Sequence, residues 1–264
     1  MSKNKRVKLI INNNEKSLRI AEKVKSTLLD KNFEIVEEDY SVAISIGGDG
    51  AFLRMVKETN FNSDVLYVGV NAGTLGFAQD IEEQEILSFI ESLEKGDYTY
   101  EEIGIAEATI NTPELKDHLY YLNELIIRDS ELNTTKLDVY VDGVLLEEYV
   151  GDGLLVSTSF GSTAYNLSFG GSIVYNTFHT LQLTPIAPLN NRSYRNLINS
   201  VVMPGKKNIE IKPKPDKMMI TIDGDNYYYD NIENLVISIR DKKIKLIRKK
   251  DYNFITKIND KFLK

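Results

Sequence analysis

Residues Gly47-Gly48-Asp49-Gly50 stand between an apolar run at 42–46 and a helical pattern at 51–58. Glycines there let the backbone turn sharply and approach a ligand closely. The start of the next helix offers free N–H groups to an anion such as phosphate. Asp49 would lie at the carboxyl end of a parallel strand, where open α/β sheets bind ligands. A carboxylate so placed can take the proton of a substrate hydroxyl during phosphoryl transfer. The same residues also read as an ordinary Gly/Asp turn with Asp49 as a helix cap.

A second constellation runs from Gly151-Asp152-Gly153 through Thr158-Ser159-Phe160-Gly161-Ser162-Thr163-Ala164-Tyr165-Asn166-Leu167-Ser168 to Gly171. Its small residues leave room for a flat ring, and its hydroxyls and amides can bond the ring's edges. The alternative is a Ser/Thr-capped helix in a loop between strands. Asn123-Glu124 interrupts the apolar stretch 120–127. If buried, such a pair must find hydrogen bonds; Asn suits an adenine edge and Glu a ribose hydroxyl, while the outward face of a strand accounts for both without a ligand. Residues 185–192 form a proline-framed loop, and Asp223-Gly224-Asp225 reads as a hairpin turn. His118 and His179 are isolated, and the basic residues at 242–248 alternate like a strand with one solvated face. P-loop, G-x-G-x-x-G and G-x-S-x-G motifs are absent.

Strand and helix alternate over the first hundred residues. Apolar strands at 7–11, 42–46 and 65–70, with a shorter one near Phe33 and Ile35, are separated by helical patterns at 15–31, 51–58 and 82–95. The first helix is expected to bury Leu18, Ala21, Val24 and Leu28. This order implies a parallel sheet covered on both faces. From about residue 98, short β-rich runs take over, at 103–110, 120–128, 137–141, 144–150, 153–157, 209–212, 218–222, 235–239 and 244–247, broken by one helix at 162–169. The fold class is therefore α/β plus β, an N-terminal α/β domain and a C-terminal β-sandwich domain. The domains are expected at 1–97 and 98–251. Phe254, Ile258 and Phe262 recur at helical spacing in the tail 252–264, so the tail should dock.

The chain has 264 residues and no cysteine, which excludes disulfides, Cys-ligated zinc, iron–sulfur clusters and thiol catalysis. A net charge of -7 argues against a nucleic-acid partner. No stretch approaches the roughly 18 apolar residues of a membrane span, and the apolar run after the basic start is too short for a signal peptide. The expected location is cytoplasmic.

Together these segments resemble the NAD kinases, which phosphorylate the 2′-hydroxyl of the adenosine ribose of NAD. The likeness rests on Gly47-Gly48-Asp49-Gly50, Gly73-Thr74-Leu75-Gly76-Phe77, Asn123-Glu124, the run 151–171, Ala187 with Asn191-Arg192, and Asp223-Gly224. They fall in the family's order and cover most of the chain. The Gly-Gly-Asp-Gly turn is shared with lipid kinases and phosphofructokinases; Asn-Glu with Gly-Ser-Thr-Ala-Tyr separates the NAD kinases from them. The resemblance implies an active site in the crevice between two domains and a tail that returns to the first. It implies Asp49 as proton acceptor, and Gly47, Gly48 and Gly50 at nucleotide phosphate. It places Gly50, Phe77, Asn123, Glu124, Asp152, Thr163, Ala164, Tyr165, Asn166, Leu167, Ser168 and Ala187 around NAD, with Phe77 near the adenine. Mg²⁺ would arrive with ATP, held by phosphates rather than by a dedicated carboxylate cage. The donor would be ATP or inorganic polyphosphate, and the assembly a homotetramer or homodimer. Two positions depart from the family's pattern: Val150 replaces a common basic residue, and Ser159-Phe160 replaces Pro-x before Gly161. A lipid or sugar kinase, or a non-catalytic NAD sensor, are the alternatives.

Overall fold

The structure, a computed structural model, describes residues 5–73 and 76–264. In chain order the first elements are β1 (Arg6–Ile11), α1 (Glu15–Asp30), β2 (Glu34–Ile35), β3 (Val42–Gly47), α2 (Asp49–Glu58), β4 (Leu66–Asn71) and α3 (Ile86–Lys95). Then come β5 (Thr99–Asn111), β6 (Lys116–Tyr121), β7 (Glu124–Asp129), β8 (Thr135–Val141), β9 (Val144–Gly151), β10 (Gly153–Thr158) and α4 (Tyr165–Ser168). The chain ends with β11 (Thr180–Ile186), β12 (Val201–Pro204), β13 (Ile209–Pro213), β14 (Lys217–Ile222), β15 (Asp225–Asp230), β16 (Asn234–Arg248) and α5 (Phe254–Phe262). Two compact units result, residues 1–102 with 243–264, and residues 103–242.

In the first unit β2, β1, β3 and β4 lie side by side in that order, all parallel. The end of β16 adds to β4, also parallel, pairing Lys245 with Leu66. β3 is buried along its whole length, as a strand covered on both faces must be. One face packs against α1 and α3 through Ile20, Val24, Leu28, Ile86 and Ile90. Asn14 caps α1 by accepting from the Ser17 N–H at 2.9 Å. That phase puts Ser17, Ile20, Ala21, Val24 and Leu28 on the buried stripe and leaves Leu18 exposed, contrary to expectation. The chain leaves β1 toward β2 and returns to β3 on β1's other side. The carboxyl ends of β1 and β3 therefore form the switch point of the sheet, where such sheets leave a crevice for ligands.

The second unit is a sandwich of antiparallel sheets. One has the order β12-β11-β10-β7-β14-β15. In the other, β13 lies between β8 and the first half of β16, and β8 pairs with β9. Leu125, Ile127, Leu154 and Val156 from one sheet share a core with Leu137, Val139, Ile209 and Ile211 from the other. Asp142-Gly143 and Asp223-Gly224 each close a two-residue hairpin, with φ of 49° and 80° in the first and 45° and 92° in the second. Positive φ at both positions is the requirement of the hairpin turn that matches strand twist.

Several expected elements differ. The stretch 120–128 is two strands, β6 and β7, broken at Leu122-Asn123, because the Asp223 carboxylate takes the backbone N–H groups there. The helix at 162–169 is a 3-10 turn, Phe160–Thr163, followed by α4; Ala164, at φ -94° and ψ -134°, interrupts it. Runs 235–239 and 244–247 are one strand, β16. Pro185 lies within β11, opposite Leu154, so the loop starts at Ala187. β11, β12 and β15 escaped the hydrophobic pattern. β12 is short and ends in Pro204, and β15 is a polar and tyrosine-rich edge strand. Among the described residues no helix is long and apolar enough to cross a membrane.

Candidate active site

In the first unit, Asp49 opens α2 directly after β3. Gly48 caps the helix with extended backbone and no side chain, so the first turn keeps free N–H groups. The Asp49 side chain is 35% exposed, and its carboxylate is held on both oxygens. Phe77 N–H donates to Oδ2 and Ala78 N–H to Oδ1, each at 3.0 Å. Gly76 makes this approach possible: a Cβ at that position would lie 2.2 Å from Asp49 Oδ1. Gln79 Nε2 donates to Gly48 O at 2.8 Å and to Ser45 Oγ at 3.1 Å, fixing the turn from behind. Among the described residues no atom lies within 4 Å of where a Cβ at Gly48 or Gly50 would be, so they leave open the side expected to face phosphate.

The 77–80 segment that grips Asp49 is itself gripped. Arg248 Nη1 donates to Phe77 O and to Asp80 Oδ2, both at 2.8 Å. Lys257, on α5, donates to Gln79 O at 3.0 Å and to Asp80 Oδ1 at 2.8 Å. The Phe77 ring is buried and packs against Phe254 and Phe262, with centroids 6.0 and 5.8 Å away. Of the expected Gly73-to-Phe77 motif, Gly73 N–H donates to Asn71 Oδ1, while Thr74 and Leu75 lie outside the described residues.

In the second unit, the Asn123-Glu124 pair sits where β6 gives way to β7. Asp223 accepts from the N–H groups of Leu122 at 3.0 Å, Asn123 at 2.8 Å and Glu124 at 3.3 Å. Thr158 Oγ1 donates to Leu122 O, and Thr158 N–H to Asn123 O at 2.9 Å. Gly161 packs so closely that a Cβ there would lie 2.1 Å from Asn123 O. Glu124 is 8% exposed, and its Oε2 is buried without a hydrogen-bond partner among the described residues. Burial, with the Asp223 charge second, pushes its carboxyl up to about 8, while the Tyr165 N–H bond pulls the other way. A buried carboxyl with an idle oxygen is a group prepared for a ligand's polar atom. Tyr121 Oη is likewise buried and has no hydrogen-bond partner among the described residues.

The run after β10 divides into supporting and presenting residues. Asn166 is fully buried; it accepts from Thr184 Oγ1 at 2.6 Å and donates to Ser162 O at 3.3 Å. Its side chain thus fixes the turn. Thr163 is buried, Ala164 and Leu167 are half-buried, and Tyr165 and Ser168 are exposed. The Tyr165 ring meets Phe169 edge-on at 4.8 Å. Asp152 and Ala187 are exposed neighbours, joined by the Asp152 N–H bond to Ile186 O at 3.0 Å; Ala187 adopts φ 46°. Val150, one of the two departures, is buried, and its backbone is bonded to Asn196. Phe160, from the other departure, is also buried. Among the described residues no group of three or more His, Asp or Glu side chains is arranged to hold a metal ion.

Two residues near these groups were given no site role from the sequence. Asp223 reads as a turn former, and its role as a brace for 122–124 depends on a partner about a hundred residues away. Lys261 reads as one more tail lysine, yet its Nζ lies 3.6 Å from Asp49 Oδ2.

Residues 12–98 match the family model of the ATP-NAD kinase N-terminal domain, and residues 122–248 that of the ATP-NAD kinase C-terminal domain. An NAD kinase of Finegoldia magna is 38% identical, with 97% of each chain covered. An NAD kinase of Streptococcus agalactiae is 36% identical over 98% of this chain and 95% of its own. The fold is shared with a yeast NADH kinase solved with NADH, at a TM-score of 0.86 and 19% identity, covering 97% of this chain and 86% of that one. It is also shared with an Archaeoglobus fulgidus NAD kinase solved with ATP, at a TM-score of 0.76 and 19% identity, covering 97% and 99%. With relatives this similar along nearly its whole length, and both domains matched, this chain belongs to the NAD kinase family.

Proposed function

We propose that the protein transfers the terminal phosphoryl group of ATP to the 2′-hydroxyl of the adenosine ribose of NAD⁺, giving NADP⁺ and ADP. The observation that carries this reading is Asp49, a part-exposed carboxylate fixed on both oxygens at an open helix N-terminus. Asp49 takes the proton of the 2′-hydroxyl as the O2′–Pγ bond forms and the bond from Pγ to the bridging β,γ-oxygen breaks. Gly47, Gly48 and Gly50 receive donor phosphate on backbone N–H groups. Asn123 bonds the adenine edge, and Glu124 offers its idle oxygen to a ribose hydroxyl. Asp152, Thr163, Ala164, Tyr165, Ser168 and Ala187 line the dinucleotide's path. Asn166 and Leu167 hold the shape of that wall, and Phe77 supports Asp49 through its backbone. Most of the acceleration comes from positioning and charge neutralisation.

Mg²⁺ enters with ATP as part of the donor substrate. The Asp49 oxygens already accept from two amides, which suits a proton acceptor better than a metal ligand. Polyphosphate is a second donor for the same phosphate-facing turn. The protein is proposed to work in the cytoplasm as a homodimer or homotetramer. Supporting an assembly, β9 is an edge strand that exposes Val144, Leu145 and Leu146. Light scattering should then give a mass of two or four chains.

The test is NADP⁺ formation from NAD⁺, ATP and Mg²⁺, read through an NADP-specific dehydrogenase, with and without donor. Product that requires the donor supports the kinase. Folded protein that binds NAD⁺ but forms no product with ATP or polyphosphate would leave a sensor.

A further inference from the structure

We propose that Lys261, on the C-terminal helix, is a positioning residue for Asp49, an inference that rests on the kinase reading above. The tail brings it there by helical geometry. Phe254, Lys257, Ile258, Lys261 and Phe262 fall at i, i+3, i+4, i+7 and i+8, one face of α5. Phe254 and Phe262 on that face pack against the buried Phe77 ring. The same packing lays the Lys261 ammonium 4.9 Å from the centroid of that ring and 3.6 Å from Asp49 Oδ2. Oδ2 is the oxygen that also accepts the Phe77 N–H. One aromatic residue thus orients the carboxylate through its backbone and the ammonium through its ring.

The other charged side chains of α5 are engaged elsewhere: Lys257 pairs with Asp80, and Asp260 with Lys264. The Lys261 side chain is 27% exposed, so its position does not derive from deep burial. Its use follows from the reaction. Anionic donor phosphates arriving at the α2 N-terminus repel the Asp49 carboxylate, and a fixed cation on Oδ2 offsets that repulsion and keeps the carboxylate in its rotamer. A carboxylate that swings away by about an ångström can lose about 10²-fold in rate.

The experiment compares wild type, Lys261→Gln, Lys261→Met and Lys261→Arg in the NADP⁺ assay, with melting temperatures for all four. Lys261→Met keeps an aliphatic stem over Phe77 and controls for lost packing. The expected result is a loss of about tenfold in kcat for both Gln and Met, KM for NAD⁺ within about twofold, and most of the rate restored by Arg. A melting temperature close to wild type in all variants should accompany it. Variants that keep kcat within about twofold of wild type would overturn the proposal. So would Gln, Met and Arg variants that all lose activity in step with melting temperature, since that pattern marks a purely structural tether. Absence of NADP⁺ from the wild type would instead sink the kinase reading, and this proposal with it.

Discussion

Two carboxylates, one in each unit, are built in opposite ways. Asp49 is about a third exposed, accepts a backbone N–H on each oxygen and has an ammonium beside it. Glu124 is buried, has one oxygen without a partner and is pushed up to about 8 by burial. The first environment holds a carboxylate oriented and reachable, as the proposed role of proton acceptor needs. The second favours the neutral carboxyl, able to donate as well as accept, as the proposed bond to a ribose hydroxyl needs. On the proposed reading, environment assigns different work to the same functional group.

The sharpest way to break this contrast is to move the backbone that frames each carboxyl. Gly161→Ala would drive a Cβ into Asn123, where 2.1 Å is available to the carbonyl oxygen. It should raise KM for NAD⁺ by about 10² or more and destabilise the fold by about 1–3 kcal/mol. Gly76→Ala would press on Asp49 Oδ1 at 2.2 Å and should cut kcat by a similar factor with less change in KM. Steady-state kinetics with thermal melts would separate the two patterns.

A smaller effect tests the neutral state of Glu124. Burial pushes its folded carboxyl from an ordinary 4.5 up to about 8, so the unfolded chain releases the proton first. Stability is full below about 4.5 and declines as pH rises toward 8, by up to about 1.4 kcal/mol per unit. Glu124→Gln removes that slope. Melting curves at pH 5 and pH 7.5 should show a larger drop for wild type than for the variant. Equal slopes would mean that Glu124 is charged in the folded protein.

The smallest expected effect concerns Ala187, at φ 46° and exposed. Ala187→Gly should relieve backbone strain of about 1 kcal/mol, offset in part by chain entropy. A melting temperature within a few degrees of wild type and a small change in KM for NAD⁺ are expected. A large loss of NAD⁺ binding would show that the Ala187 methyl makes a contact of its own.

The α/β half was legible because its strands are continuous apolar runs and its helices carry clean stripes; even there, the cap at Asn14 turned Leu18 outward. The sandwich was legible in class and less so in detail. The break at Leu122-Asn123 is dictated by Asp223, and β15 owes its place to pairing with β14 rather than to its own hydrophobicity. Within the candidate site, residue types pointed to Asp49, Asn123 and Glu124. What they could not give is which side chains are already engaged by their neighbours. Asn166 spends its side chain on Thr184 and Ser162, and Phe77 spends its ring on the tail. Those roles depend on long-range packing that no local spacing encodes.

The most direct test measures kcat and KM for NAD⁺ side by side in Asp49→Asn and Glu124→Gln. For Asp49→Asn a fall of about 10²–10⁴ in kcat is expected, with KM little changed. For Glu124→Gln a rise of about tenfold in KM is expected, with kcat largely kept. Asp49→Asn that keeps its kcat, or Glu124→Gln that loses kcat while keeping KM, would contradict the assignment of chemistry to the exposed carboxylate and binding to the buried one.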